Sequence, residues 1–289
     1  MTLLSMDNIS VMSVQYWHTS FEYFLSSMER CQLKNIELWA GAPHYSYDCF
    51  ETRAEANAHI RAMRRQIEAR GMRVVMLTPE QLNYPVNIAG RELGYRKKSL
   101  DYFARAMEDA LLFGTERVFI TSGWGLLDEP REDAWQRSVD SLGELCARAE
   151  KLGVCLVIEQ LQPYESNLLT TCEDMVRMLR EVSSPALQCC VDLVAMAVVG
   201  DELQTFFDRL PGRVRHIHFA DGNPSGHYIC GDGSLPLRDY LATLEANQYS
   251  GYLTLEINDS IYWDDPHTSI ARSADYLRRW LPNMVGKGA

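Results

Sequence analysis

Eight short apolar runs alternate with eight amphipathic stretches along this chain, which limits it to folds built from repeated β–α units. The runs are rich in β-branched and aromatic residues, as buried strands are. They fall at Val11–Trp17, Asn35–Ala40, Arg73–Thr78, Arg117–Ser122, Val154–Glu159, Ala186–Asp192, Val214–Phe219 and Tyr252–Ile257. Helical periodicity occupies Phe21–Cys31, Thr52–Arg70, Arg91–Phe113, Glu132–Leu152, Thr171–Glu181, Asp201–Leu210, Leu237–Asn247 and Thr268–Leu281. Gly71, Gly114 and Gly153 each end a helical pattern just before a strand, and Ser166 or Thr171 is placed to cap the fifth helix. Eight such units in 289 residues fit a single (β/α)8 TIM barrel over residues 1–289, with no linker or composition shift to divide it. The alternative, an open doubly wound sheet, lacks support because no G-x-G-x-x-G turn follows the first strand.

Composition narrows the functional classes. An apolar fraction of 46% is enough for a substantial core. The net charge of −11 is spread along the chain rather than blocked, which argues against nucleic acid, whose phosphates are met by clustered Lys and Arg. No apolar run approaches the ~18 residues that suggest a membrane span. The opening Met-Thr-Leu-Leu-Ser-Met-Asp-Asn lacks the basic start and apolar stretch of a signal peptide. The eight cysteines show no C-x-x-C spacing, and several lie in expected strands or helices, where a reduced thiol packs as a small apolar group. A cytoplasmic enzyme with reduced thiols and no membrane partner is the expectation.

Four chemistry-bearing side chains stand at the ends of the last four expected strands: Glu159, Asp192, His218 and Glu256. They are separated by 33, 26 and 38 residues, about one strand-plus-helix unit each. A lone strand-end carboxylate is commonly a helix cap or an ion-pair partner. Four in succession, where barrel strands open onto one face, point to a divalent-cation site. Three carboxylates and an imidazole suit Mn²⁺ or Mg²⁺, with Co²⁺, Fe²⁺ or Zn²⁺ also accommodated. His216 lies two residues before His218 and so on the same face at a different depth, as a core or supporting residue. His227, in the next loop, is within reach of the open face. Glu37 and His44 near the second strand, with Tyr84, Trp124 and Trp263 in loops, are candidate pocket walls.

Particular segments carry a family resemblance. They include Ile36-Glu-Leu-Trp-Ala-Gly-Ala-Pro-His44, Thr78-Pro-Glu-Gln-Leu-Asn-Tyr-Pro85, Glu159-Gln-Leu-Gln-Pro-Tyr-Glu-Ser-Asn167 and His216-Ile-His-Phe-Ala-Asp221. With His227-Tyr-Ile-Cys-Gly-Asp-Gly233 and Gly251-Tyr-Leu-Thr-Leu-Glu256, the chain resembles the xylose-isomerase-like sugar isomerases and epimerases. Within them it is most similar to the ketose 3-epimerases, and among these to the branch acting on fructoselysine. The resemblance implies that Glu159, Asp192, His218 and Glu256 bind a divalent metal, Mn²⁺ foremost, and that Glu159 and Glu256 also move the proton. It places Glu165 by the C1 end of the substrate, and His44 and His227 are expected to help bind it. Two departures accompany it: relatives acting on free ketoses carry a His at the position of Ala195 and an Arg at that of Pro224. Losing both polar contacts fits a substrate with a bulkier group on C1.

The chemistry so implied is epimerisation at C3 through an enediolate. Removing a proton beside a carbonyl needs charge stabilisation by a cation, and two carboxylates act in turn as base and acid. The expected strand-end loops hold few Lys or Arg and no Gly-rich phosphate cradle, so a small unphosphorylated sugar, or an Amadori-type sugar–amine adduct, is the expected substrate. A homo-oligomer is also expected from the resemblance. Rivals are an aldose–ketose isomerase, an inosose dehydratase, a non-catalytic sugar-binding barrel and an enzyme cleaving DNA at abasic sites. The last needs a His-rich multi-zinc site and a basic groove, which seven scattered histidines and an acidic chain do not offer.

Overall fold

A computed structural model describes residues 4–81 and 85–281. Eight parallel strands pair in chain order, and β1 (Ile9–Met12) pairs with both β2 (Asn35–Ala40) and β8 (Tyr252–Leu255), closing the barrel. Between them run β3 (Arg73–Pro79), β4 (Arg117–Ile120), β5 (Cys155–Glu159), β6 (Leu187–Asp192) and β7 (Val214–Phe219). The outer ring is α1 (Phe21–Arg30), α2 (Arg53–Ala69), α3 (Leu93–Phe113), α4 (Arg131–Leu152), α5 (Cys172–Val182), α6 (Leu193–Val199), α7 (Leu203–Arg209), α8 (Leu237–Ala246) and α9 (Pro266–Trp280).

Local chemistry sets these boundaries. At the start of α2 the Thr52 hydroxyl accepts from Glu55 N–H while the Glu55 carboxylate accepts from Thr52 N–H, a reciprocal cap. Thr171, rather than Ser166, caps α5 by accepting from Asp174 N–H at 3.1 Å. Gly114 and Gly153 end α3 and α4 at φ of 88° and 70°, a conformation costly for other residues.

Two departures from expectation go beyond a residue or two at an element's end. The run Val11–Trp17 is strand only to Met12, and Ser13–Tyr16 turns into a 3-10 helix. There the Ser13 hydroxyl accepts from Trp39 N–H and Gln15 Oε1 accepts from Ile257 N–H, so side chains take over pairing that the β1 backbone gives up. The sixth unit holds two short helices instead of one. Leu193–Val199 is apolar on every side, so its sequence shows no helical periodicity, and burial and the Asp192 cap form the helix instead.

The barrel wall divides two environments. Ile36, Leu38, Ile158, Ile217 and Leu253 face the helices, fully buried, each stabilising the fold by about 1.5–3 kcal/mol. The lumen carries polar groups: Ser10, Glu37, His216, His218 and Thr254 are also wholly buried. All eight cysteines are free thiols. Among the described residues no helix is long and apolar enough to cross a membrane.

Candidate active site

The strand period aims one side chain from each of the last four strands into the open end of the barrel. Glu159 and Asp192 are the final residues of β5 and β6, His218 is next to last in β7, and Glu256 directly follows β8. Ligand atoms of all four lie within 4.8 Å of one another. His218 Nδ1 is 2.5 Å from Glu159 Oε1 and 2.9 Å from Glu256 Oε2. That nitrogen is buried, yet neither approach has hydrogen-bond geometry. A nitrogen and carboxylate oxygens converging without bonding one another are arranged as donors around a common point. The set suits a divalent cation, whose charge would offset three crowded carboxylates.

The electrostatics show the strain of that crowding. Burial pushes Glu159 up to about 8, and Glu256 and Asp192 add to the shift against the pull of His218. Burial likewise raises Glu165 to about 7. Asp192 goes the other way: burial opposes its charge, but His227 outweighs it and holds the carboxyl below its usual range. His227 Nε2 lies 3.3 Å from Asp192 Oδ2. Burial disfavours the imidazolium, yet Asp192, with Glu256 and Glu165 beyond it, lifts His227 to about 10.

A folded loop delivers His227. Asp221 and Tyr228 form an antiparallel bridge, and the Asp221 carboxylate accepts from the N–H groups of Gly222, Gly231 and Leu235. Gly233 is packed so closely that an added Cβ would lie 2.4 Å from Asp221 Oδ1 and 2.6 Å from the Gly222 backbone.

Above the four residues opens a cavity of about 390 Å³, within the ~300–1,000 Å³ range of small-ligand sites. Glu165, His227, Trp263 and Ala195 line it, as do Glu159, Asp192 and Glu256. Glu165 is fixed there by the Gln162 N–H, which donates to its Oε2 at 2.9 Å. Other expected walls lie elsewhere. His44 is packed against Phe21 and Phe24, its Nε2 3.2 Å from the Thr19 carbonyl oxygen, and does not reach the cavity. Trp124 is also outside the lining, Glu37 lies beneath it in the lumen, and Tyr84 falls outside the described residues. Trp17, Trp39 and Glu80, which are not among the expected walls, also line the cavity. Trp39 Nε1 donates to Glu80 Oε2 at 2.9 Å, and Trp17 meets Trp263 edge to face at 5.1 Å. The signal available was position, since Trp39 is on the lumen-facing alternation of β2 with Glu37.

Known proteins share this architecture. Fructoselysine 3-epimerases of Escherichia coli O157:H7 and Shigella flexneri are each 31% identical over 86% of this chain and 88% of their own length. A structure of L-ribulose 3-epimerase superposes with a TM-score of 0.80 at 18% identity, covering 96% of each chain. A D-psicose 3-epimerase with D-tagatose from Clostridium cellulolyticum gives a TM-score of 0.78 at 15% identity, covering 95% of this chain and 99% of that one. These likenesses at low identity speak for the fold. Residues 35–280 match the family described as xylose isomerase-like TIM barrel, and with the closed eight-stranded barrel the chain belongs to that family.

Proposed function

We propose that the chain is a divalent-metal-dependent sugar 3-epimerase that interconverts fructoselysine and psicoselysine. Glu159, Asp192, His218 and Glu256 hold the cation, with Mn²⁺ foremost. When bound, the cation supplies Lewis-acid relief of the negative charge that develops beside a carbonyl as a C–H proton leaves. The protein's own part is proton movement. Glu159 and Glu256 stand three strands apart in the ring, so each meets a different side of a molecule seated between them. One takes the C3 proton, the other returns a proton to the opposite face, and the roles exchange in reverse. Fixed carboxylates against the C–H gain rate from orientation, which offsets the basicity that ligation to a cation would remove.

The observation that carries this reading is the pair of glutamates closing on one imidazole nitrogen from 2.5 and 2.9 Å at the floor of a ligand-sized cavity. The C1-substituted substrate is supported by Ala195, which leaves the wall small where a polar ring would contact a free sugar, and by the fructoselysine 3-epimerases at 31% identity. Glu165 and His227 are the groups we assign to substrate polar atoms.

The test is turnover in heavy water with Mn²⁺, comparing fructoselysine with fructose, tagatose and psicose. Psicoselysine formation with deuterium at C3, abolished by chelation, is expected. Label confined to C1 or C2, or turnover indifferent to chelator, overturns the proposal.

A further inference from the structure

Beneath the site, Glu37 occupies the middle of β2 with no exposure and no share in the cavity lining. A buried carboxylate costs several kcal/mol unless it is well paired, and an apolar residue would fill a barrel lumen more simply. Its partners come from across the barrel. Thr78 donates to Glu37 Oε1 at 2.6 Å, His218 Nε2 is 3.1 Å from the same oxygen, and His216 Nε2 is 2.8 Å from Oε2. β2 and β7 are separated in the ring by β1 and β8, so this contact spans the lumen. Thr254 on β8 lies 2.7 Å from His216 Nε2 and steadies that ring in turn.

We propose that Glu37 is a positioning residue, fixing His218 with its proton on Nε2 so that Nδ1 is the atom offered to the cation. The inference rests on the metal site proposed above. A carboxylate facing these groups can only accept, so the His218 nitrogen toward it is N–H. The lone pair of the neutral ring is then on Nδ1, the nitrogen left unbonded between Glu159 and Glu256. Carboxylate support of this kind fixes the ring and raises the basicity of the ligating nitrogen, and its removal typically costs about 10–100-fold in metal affinity. Glutamine is no substitute: it has one oxygen for the two rings and turns an NH₂ toward the other. His216 gains a role by the same geometry, holding the second oxygen so that the carboxylate cannot swing away.

The test combines Mn²⁺ titration of metal-stripped protein by calorimetry with ¹H–¹⁵N spectra of the histidine rings. Glu37→Gln is expected to weaken Mn²⁺ binding about 10–100-fold. In the wild-type protein, stripped or zinc-loaded, His218 should carry a slowly exchanging proton on Nε2 that exchanges faster in the variant. A variant binding Mn²⁺ as wild type does, or a wild-type His218 with Nε2 free of its proton, overturns the proposal. The wild-type spectrum decides the matter if Glu37→Gln does not fold. Absence of cation binding by wild-type protein would instead overturn the metal reading, leaving the Nε2 proton to report separately on Glu37.

Discussion

His227 reaches across from the loop after β7 to place Nε2 3.3 Å from Asp192 Oδ2, at the end of β6. The contact sets a cationic group on the rim of an otherwise acidic cavity, where it can meet a substrate oxygen. Hydrogen bonds involving a charged partner contribute about 1.5–3 kcal/mol, so His227→Ala is expected to lower kcat/KM about 10–150-fold. Steady-state kinetics should place most of the change in KM, and an unchanged KM would remove His227 from substrate binding.

Without a cation the crowded site should make stability depend on pH. Glu159 titrates at about 8 against an ordinary 4.5, and His227 at about 10 against 6.5. Both values are raised, so the native state retains protons that the unfolded chain has released. That contribution is complete below the unfolded values and is lost as pH rises through the folded ones. Chelated protein should therefore melt at a lower temperature at about pH 9 than at about pH 5.5. Added Mn²⁺ should stabilise most at the alkaline end, since ligation has to displace the Glu159 proton at lower pH. Thermal melts with and without EDTA check both statements.

Removing one carboxylate should separate holding from reacting. Glu159→Gln and Glu256→Gln are each expected to lower kcat by about 10²–10⁴-fold and to remove solvent exchange at C3 even with excess Mn²⁺. Asp192→Asn should instead weaken metal binding and recover part of its activity as Mn²⁺ is raised. Equal rescue of all three by metal would deny the glutamates their proton-moving part.

Ala195→His tests the cavity wall. The ring would occupy space lined by Ala195 at the start of α6 and offer a polar contact to a small sugar. We expect fructoselysine turnover to fall by about tenfold or more relative to free ketoses. Competition between the two substrates reads the ratio directly.

The loop that carries His227 has its own weak point at Gly233. A methyl there would collide with the Asp221 carboxylate and the Gly222 backbone, the bonds that fold the loop. Gly233→Ala should destabilise by about 1–3 kcal/mol, measured by denaturant unfolding, and lower activity through displacement of His227. Wild-type stability in the variant would show that the loop accommodates the change elsewhere.

The sequence made the barrel legible because strand and helix periods differ and recur, and it located Glu159, Asp192, His218 and Glu256 because each ends a buried run. What it concealed depends on closure. Nothing local tells Glu37 that it will face His216 and His218, since that meeting exists only once β1 joins β8. His44 reads as a mouth residue until α1 brings Phe21 and Phe24 against it. Trp17 and Trp39 read as core because aromatic residues in or near strands usually are. The helix Leu193–Val199 was hidden for the opposite reason, having no polar face to give it a period.

The cavity is shared unequally around the ring. Strands β5 to β8 and their loops bring Glu159, Asp192, His227 and Glu256, whereas the β1 to β3 side brings Trp17, Trp39 and Glu80 together with Met12 and Val14. The clustered ligand-type side chains therefore lie on one arc of the ring, and Trp17 and Trp39 on the other. A gene library aimed at new sugar adducts can randomise the arc of Trp17 and Trp39 while the ligand arc stays intact, and its inactive members should still bind Mn²⁺ as the parent does.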